Sequence, residues 1–144
     1  MVVAEQIDAI RAPYEEALAE GRVSYQRCAD CANAWLPPRG ACPACLGEAW
    51  YWQRAKGSAR LISWVVYHRA YDPSLEDRVP YPVLLIELSE GPRLIAGLEA
   101  GEDLASLRIE AELELRVDAE HRRVLARTTE SNTEGEALPK EEEN

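Results

Sequence analysis

The feature that most constrains this 144-residue chain is a cluster of cysteines within an 18-residue window. The spacing is Cys-x2-Cys-x10-Cys-x2-Cys, and the chain has no other cysteines beyond Cys28, Cys31, Cys42 and Cys45. Two close pairs, each in a short turn, can offer four thiolates to one tetrahedral ion, and zinc favours such a soft shell. The pattern therefore predicts one structural Zn²⁺. A closed four-cysteine shell leaves no position for substrate, so we expect a role in folding and not in catalysis.

Three other uses of the cysteines fit less well. Two disulfides would need an oxidising compartment, and the N-terminal sequence has neither the basic nor the apolar region of a signal peptide. A thioredoxin-type redox pair would lie at a helix N-terminus, whereas both pairs here lie among Pro, Gly and Ala. A rubredoxin-like iron site for electron transfer stays open, although its cysteine pairs are normally much further apart.

The size and charge of the chain argue against some classes of function. No apolar run approaches 18 residues, so we expect no membrane span and a cytoplasmic protein. The chain carries 16 basic and 26 acidic residues, net -10, which opposes nucleic-acid binding because that binding depends on neutralising phosphates with Lys and Arg. Residues 129–144 hold six Glu and one Lys with almost no apolar side chains, and we predict an acidic disordered tail there.

The remaining chain divides into three predicted segments: an N-terminal helical arm (1–22), a four-cysteine zinc ribbon (23–56) and a barrel (57–128). In the arm, residues 4–20 have helical character. Pro13 is expected to break the helix and open a second short one, and Gly21 to end it. The arm either packs on its own domain or serves as a docking arm.

The ribbon sequence alternates strands and tight turns. Residues 23–27 predict a strand leading into the first cysteine pair, and the Pro-Pro-Arg-Gly stretch 37–40 predicts a rigid turn. Gly47 is expected to relieve the backbone after the second pair. Residues 49–54 predict another strand with two tryptophans on one face.

The barrel segment reads as successive strands. Residues 60–68 (RLISWVVYH) are rich in β-branched and aromatic residues, and both faces of this strand are expected to be covered. Residues 82–88 and 93–98 predict a hairpin. Residues 103–128 are ambiguous: period-2 alternation favours strands at 111–117 and 122–128, whereas the leucine spacing from 104 to 115 also fits a helical stripe. Five strands predict a small barrel; the alternative is a three-stranded sheet covered by a helix.

In this order, the pieces resemble the DUF35 type of zinc-ribbon plus OB-fold protein, which is found beside thiolase-like enzymes. The resemblance covers about residues 8–128 and is carried by YEEALAEG (14–21), the two cysteine pairs, LPPR (36–39), GSARLISWVVY (57–67), YPVLLIEL (81–88) and GPRLIAG (91–97). It implies a mainly β fold: short N-terminal helices, a rubredoxin-like zinc ribbon and a five-stranded OB-fold barrel. The chain departs from the family at Ala32 and Glu110, where glycines are usual, and lacks the family's aromatic within 124–128.

The resemblance implies a non-catalytic accessory subunit. Such a subunit binds a thiolase-fold enzyme in a hetero-tetramer or larger assembly, and helps to bind or channel acyl-CoA in thiolysis, condensation or retro-aldol metabolism. The residues agree, since the chain has two histidines, no Ser-His-Asp order and no phosphate-cradling glycine loop. Two other classes stay open: an OB-fold single-stranded nucleic-acid binder and a rubredoxin-like electron carrier.

Candidate binding residues follow from this reading. Guanidinium groups for the CoA phosphates and aromatic rings for its adenine are predicted at Arg39, Arg60, Trp64, Tyr67, Arg69 and Arg93. Each arginine is equally explained as a solvated surface residue, and Trp64 as barrel core. A partner interface is predicted from aromatic residues beyond what a small metal module can bury, with their neighbours: Tyr14, Leu18, Trp35, Pro37, Pro38, Trp50 and Trp52.

Overall fold

The computed structural model describes residues 2–69 and 73–129. Across these ranges the chain is mainly β, as predicted, with one α-helix, a three-stranded sheet and a closed five-stranded barrel. The predicted disordered tail, from residue 130 onward, lies outside the described residues. In the described part, no helix is both long and apolar enough to cross a bilayer.

Helix α1 spans Val2–Ala19 without interruption. The predicted break at Pro13, and with it the second short helix, is therefore wrong. Proline removes one backbone donor and crowds the preceding turn, but the half of α1 that follows it buries Ala17 and Leu18. Because tertiary packing supplies most helical stability in proteins, this buried face holds the helix through the proline.

Helix α1 ends at Ala19, and Gly21 terminates it, as predicted. Gly21 has a φ of 89°, and its N–H donates to the Leu18 carbonyl at 2.9 Å. The Arg22 N–H donates to the Ala17 carbonyl at 2.9 Å. This paired pattern satisfies the last helical carbonyls around a left-handed residue, and it turns the chain directly into the ribbon.

The ribbon sheet has the order β2-β1-β3, with both pairs antiparallel. Its strands are β1 (Ser24–Cys28), β2 (Ala34–Trp35) and β3 (Trp50–Arg54). The central strand β1 is almost entirely buried. It therefore carries the chain from the core outward to the first cysteine.

The barrel contains the five remaining strands: β4 (Ser58–Tyr67), β5 (Tyr81–Leu88), β6 (Arg93–Leu98), β7 (Glu112–Asp118) and β8 (Arg123–Thr128). They close in the order β4-β5-β6-β8-β7, with β7 pairing back to β4. Only β6 and β8 run parallel. The strand interpretation of 111–117 and 122–128 is confirmed, and the helical alternative is reduced to a 3-10 turn at Leu104–Ser106.

One hydrophobic core joins all three parts of the molecule. Its most enclosed members come from the barrel: Leu61, Leu84, Ile86, Leu88, Leu113 and Ala126. Leu18 of α1 and Val23 and Tyr25 of the ribbon belong to the same cluster. The ribbon and the helix are thus packed on the barrel and held in a fixed position relative to it.

Strand β4 changes its inward face partway along. The β4–β5 register shifts between Leu61 and Ser63, which marks a bulge. Before the bulge Ala59 and Leu61 are buried; after it Val65 is 54% and Tyr67 39% exposed. The prediction that both faces of this strand are covered is therefore wrong for its second half.

Candidate metal centre and binding residues

The two cysteine pairs lie in turns of the same construction. The Ala32 N–H donates to the Cys28 carbonyl at 3.0 Å, and the Leu46 N–H donates to the Cys42 carbonyl at 2.7 Å. Ala32 and Leu46 both take left-handed backbone angles, with φ of 69° and 66°. Each turn thereby folds its second cysteine back towards the first.

The expectation that Gly47 relieves the backbone is wrong, because Leu46 is the left-handed residue. Gly47 is required for a different reason. A Cβ there would lie 3.1 Å from Asp30 Oδ2 and 3.3 Å from Cys45 Sγ. The glycine therefore makes room where the two turns meet.

The four sulfur atoms match the dimensions of a tetrahedral zinc site. The Sγ atoms of Cys28 and Cys45 lie 3.6 Å apart, those of Cys31 and Cys42 also 3.6 Å, and all four lie within 4.8 Å of one another. Zn–S bonds of about 2.3 Å place sulfurs about 3.8 Å apart, whereas a disulfide needs about 2.05 Å. The cluster fits a structural zinc ion.

The pKa values of the clustered thiols also favour a bound cation. Burial raises the pKa of Cys42, but N–H donors from Cys45 and Ala44 outweigh it and lower that pKa to about 6. The Gly47 N–H lowers the pKa of Cys45, yet the Cys28 sulfur and burial together raise it to about 12. Four thiols this close resist ionising together, and a divalent cation removes that conflict.

Two tryptophans surround the metal centre. Trp35 is 4% exposed and packs with Cys28 and Cys42 in a small second core. Trp50 packs against this core and donates from Nε1 to the Gly40 carbonyl at 2.9 Å. The sulfur shell is thus shielded from solvent on its inner side, while Cys31 and Cys45 are exposed on the outer side.

Gln26 holds the Pro-Pro turn, a role that the sequence analysis missed. Its side chain is fully buried. Nε2 donates to the Arg39 carbonyl at 2.7 Å, and Oε1 accepts from the Arg39 N–H at 2.7 Å. This paired contact fixes the backbone just after Pro37 and Pro38.

Of the arginines predicted to bind CoA, Arg60 and Arg93 are brought together, but on a shared carboxylate. Arg60 lies opposite Glu87 across the β4–β5 pair, with an ion pair of 2.6 Å, and also pairs with Glu110. Arg93 pairs with the same Glu87 at 3.1 Å. These cations are already matched by carboxylates, and the Arg60 and Arg93 contacts lower the pKa of Glu87.

The other predicted CoA residues lie elsewhere. Tyr67, at the far end of β4, meets Tyr81 edge to face with ring centroids 5.4 Å apart. Arg69 follows two residues later and is exposed. Trp64 packs against the barrel core, and Arg39 contributes its backbone to the Gln26 contact. The residues predicted to bind CoA are therefore divided between the two ends of β4 and the ribbon.

The predicted interface residues divide between core and surface. Leu18 is 6% exposed and, like Trp35, is buried in the chain's own core, so both are left out of the interface proposed below. Trp52 lies between Trp50 and Tyr14; it meets the Trp50 ring edge to face and the Tyr14 ring at a tilt, with centroid distances of 5.9 and 6.4 Å. Burial and then Glu15 raise the pKa of Tyr14.

Tyr14 and the two prolines of the fixed turn come together at the surface. With Leu36, Leu85, Arg93, Leu94 and Ile95 they line an apolar groove of about 390 Å³. The groove lies where the helix, the ribbon and the outer side of the barrel meet. Tyr14, Pro37 and Pro38 are therefore predicted interface residues that share one groove.

Comparison with known proteins identifies the chain's family. The sequence model described as "ChsH2, rubredoxin-like zinc ribbon domain" matches residues 16–50, and that of "ChsH2, C-terminal OB-fold domain" matches residues 52–118. A solved chain from the "Ltp2-ChsH2(DUF35) aldolase" is 31% identical, with a TM-score of 0.71, and the match covers 82% of this chain and 93% of that one. The chain belongs to the DUF35 family. The resemblance noted from the motif order is confirmed.

Other DUF35-related proteins extend the comparison. A "Probable enoyl-CoA hydratase alpha subunit" of Thermomonospora curvata is 39% identical over 83 residues, which are 58% of this chain and 25% of that protein. A "DUF35 domain-containing scaffold protein" of Methanocaldococcus jannaschii is 30% identical over 69 residues, 47% of this chain and 48% of that one. The chain thus spans at most about half of either curated relative. A DUF35 protein of unknown function from Sulfolobus solfataricus, 13% identical over 81% of this chain and 83% of its own, shares the fold with a TM-score of 0.61.

The zinc site of this DUF35 chain can be tested by replacing one buried ligand. We expect Cys42→Ser to lose the metal and to unfold the ribbon, because structural zinc energy is folding energy. Native mass spectrometry should show one zinc in the wild type and none in the variant, with a clearly lower melting temperature. Ala44→Ser, two residues away, is the control and should keep the zinc. A wild-type chain that carries four reactive thiols and no metal would contradict the assignment, and a red, iron-loaded chain would favour an electron carrier.

The contact between Gln26 and Arg39 is tested through stability. We expect Gln26→Met to lower the free energy of unfolding by about 2–3 kcal/mol, since it removes two hydrogen bonds and leaves backbone groups unpaired. Urea denaturation measures the change. Arg39→Ala keeps the backbone bonds and should change stability by less than about 0.5 kcal/mol. Equal losses for the two variants would show that the Arg39 side chain, and not its backbone, holds the turn.

Proposed function

We propose that this chain is a non-catalytic accessory subunit that binds a thiolase-fold enzyme and contributes to its handling of acyl-CoA. The observation that carries the proposal is the similarity to nearly the whole of a ChsH2 chain in a solved Ltp2-ChsH2 aldolase. That description names two proteins in one assembly. The names of the curated relatives, an enoyl-CoA hydratase alpha subunit and a scaffold protein, support CoA chemistry and a scaffolding role.

The chain's own chemistry supports a helper without a reaction of its own. All four thiols converge on one metal site, which leaves no free cysteine as nucleophile. His121 Nδ1 lies 2.9 Å from Asp118 Oδ2 at the exposed turn between β7 and β8. In the described ranges, neither His121 nor the exposed His68 contacts a serine or cysteine. A base without a nucleophile does not make a covalent catalytic pair.

For the acyl-CoA contact we propose the end of β4 that carries Tyr67. Arg60 and Arg93 are already matched by Glu87 and Glu110, so they have little charge left for a phosphate. Arg69 forms no ion pair with a described carboxylate. Tyr67 and Tyr81 offer aromatic surface beside it. Aromatic surface next to an uncompensated guanidinium suits a nucleotide with phosphates.

Association is tested by co-expression with a thiolase-fold subunit. We expect the two proteins to co-elute in size-exclusion chromatography and to turn over acyl-CoA together. The chain alone should show no turnover, because it lacks a nucleophile. The partner expressed alone is the control for activity that needs no helper. Separate elution of the two proteins would contradict the proposal, as would turnover by this chain alone.

The acyl-CoA contact is tested in the assembled complex. Arg69→Ala should raise KM for acyl-CoA roughly five- to tenfold, the size expected for losing one charge-assisted contact at a partly solvated site. Arg60→Ala is the matched control and should stay within about twofold, because its charge is already paired. Steady-state kinetics over a range of acyl-CoA concentrations gives both values. The larger effect at Arg60 would place the nucleotide at the opposite end of β4.

A further inference from the structure

Beyond the Arg60–Glu87–Arg93 ion pairs, the outer side of strands β4, β5 and β6 is apolar and partly exposed in the described structure. In the strand register Tyr67 lies opposite Tyr81, Val65 opposite Val83, and Leu85 opposite Ile95. We call these six residues the β4–β6 face. Ile95 is 60% exposed and Val65 54%. Cross-strand neighbours on one face pack against each other, so the six residues form one continuous surface.

The opposite side of the same barrel shows what a solvated face looks like in this chain. On β7 and β8 charged residues point outward and form ion pairs: Glu114 with Arg127 across the strands, and Arg116 with Glu99. Antiparallel barrels normally place polar residues outward. The apolar residues of the β4–β6 face depart from that pattern on one side only, which is the mark of an interaction surface.

Two grooves extend this face towards α1 and the ribbon. One, of about 620 Å³, runs between α1 and the barrel and ends at the turn between β7 and β8. The other is the groove of about 390 Å³ that contains Pro37 and Pro38. Tyr14 and Ile95 line both. Because Gln26 fixes the Pro-Pro turn and the common core fixes α1, the surface is formed in advance of binding.

The charges in these grooves differ from those of the chain as a whole. The linings contain three arginines, Arg93, Arg122 and Arg123, and one carboxylate, Glu15, in a chain of net charge -10. Arg93 and Arg122 have carboxylate partners. Arg123 lies opposite Asp118 in the β7–β8 register but forms no ion pair with a described carboxylate.

Arg123 lies on the β4–β6 side of the barrel, since a Cβ on Gly97 would be 3.3 Å from its Nη2. A partly buried, unpaired guanidinium beside apolar side chains favours a partner carboxylate.

Other occupants fit this surface less well. The second and third strands of OB barrels bind oligonucleotides through stacked aromatics and basic grooves, but Val83, Leu85 and Ile95 cannot stack bases. A second copy would bring another net charge of -10, which repels. The segment 130–144 has one large apolar residue, Leu138, too little to cover the face.

We infer that the catalytic partner subunit docks on the β4–β6 face together with Tyr14, Pro37 and Pro38, through an apolar surface that places a carboxylate opposite Arg123. This inference rests on the proposed function and adds the surface through which the partner binds. The aromatic and aliphatic side chains supply the buried centre of the interface, and Arg123 supplies its orientation.

The experiment measures binding to the co-expressed thiolase-fold subunit by titration calorimetry, with matched substitutions at two exposed isoleucines. Ile95→Asp should weaken Kd by about thirtyfold or more, the effect of a charge at an interface centre. Ile109→Asp is the control, because Ile109 is 54% exposed and lines neither groove. It should stay within about twofold. Arg123→Glu should weaken binding by about tenfold or more and reduce its dependence on salt.

Hydroxyl-radical footprinting of the wild-type complex gives a second measurement that needs no variant. Tyr14, Tyr81 and Ile95 should become protected on binding, and Ile109 should not. If the wild type binds but Ile95→Asp binds equally well and these residues stay reactive, the docking surface is wrong and the proposed function stands. If the wild type does not bind the subunit at all, the proposed function falls, and this inference with it.

Two further outcomes would replace the partner with another occupant. A free chain that sediments as a dimer, and as a monomer after Ile95→Asp, would assign the face to self-association. Protection of Ile95 in the free chain that disappears in a variant ending at Thr129 would assign it to the chain's own acidic segment. Either result overturns the inference.

Discussion

The structure depends on four thiolates being held together against their mutual repulsion. A cation at their centre closes two turns of equal construction, and those turns fix where β1 ends and β2 and β3 begin. Strand β1 in turn carries Gln26, whose amide holds the backbone after the two prolines. The position of a surface loop therefore depends on metal coordination through one strand and one side chain. The metal site thereby determines part of the surface that the molecule presents to others.

The common core makes the ribbon and barrel behave as one body. Leu18, Val23 and Tyr25 pack in the same cluster as the innermost barrel residues. A small ribbon buries too little surface to be stable alone, and here it gains support from a barrel that would otherwise expose part of its core. This arrangement aligns the helix, the Pro-Pro turn and the outer barrel side, which are distant in sequence, along one surface.

Much of the fold could be predicted because its signals are local. Cysteine spacing predicted the metal centre, and period-2 alternation predicted the strands at 111–117 and 122–128. The order of motifs indicated the family. Glu110 shows how far local rules reach: it takes a φ of 72° at the position where the resemblance places a glycine. The backbone at this position is left-handed although the residue is not the glycine that normally permits that conformation.

The failures have a different physical origin, since each depends on contacts between distant residues. Packing of Ala17 and Leu18 overrode the helix-breaking tendency of Pro13. The bulge after Leu61 reverses which side chains of β4 point inward. The alternation of apolar and polar residues along the strand does not show that reversal in advance. The predicted CoA arginines were chosen by charge, but whether Arg60 is available depends on Glu87 lying opposite it on another strand.

Closure of the barrel limits how any neighbour can recognise it. In the described chain Ser58–Arg60 of β4 pair back to β7, so at this closure the barrel offers no main-chain edge that an extended segment could join. Main-chain pairing would accept almost any sequence, whereas contact through outward side chains discriminates by shape. The outward residues of such a barrel can therefore be replaced, and its binding preference changed, while the inward residues that hold it closed stay the same.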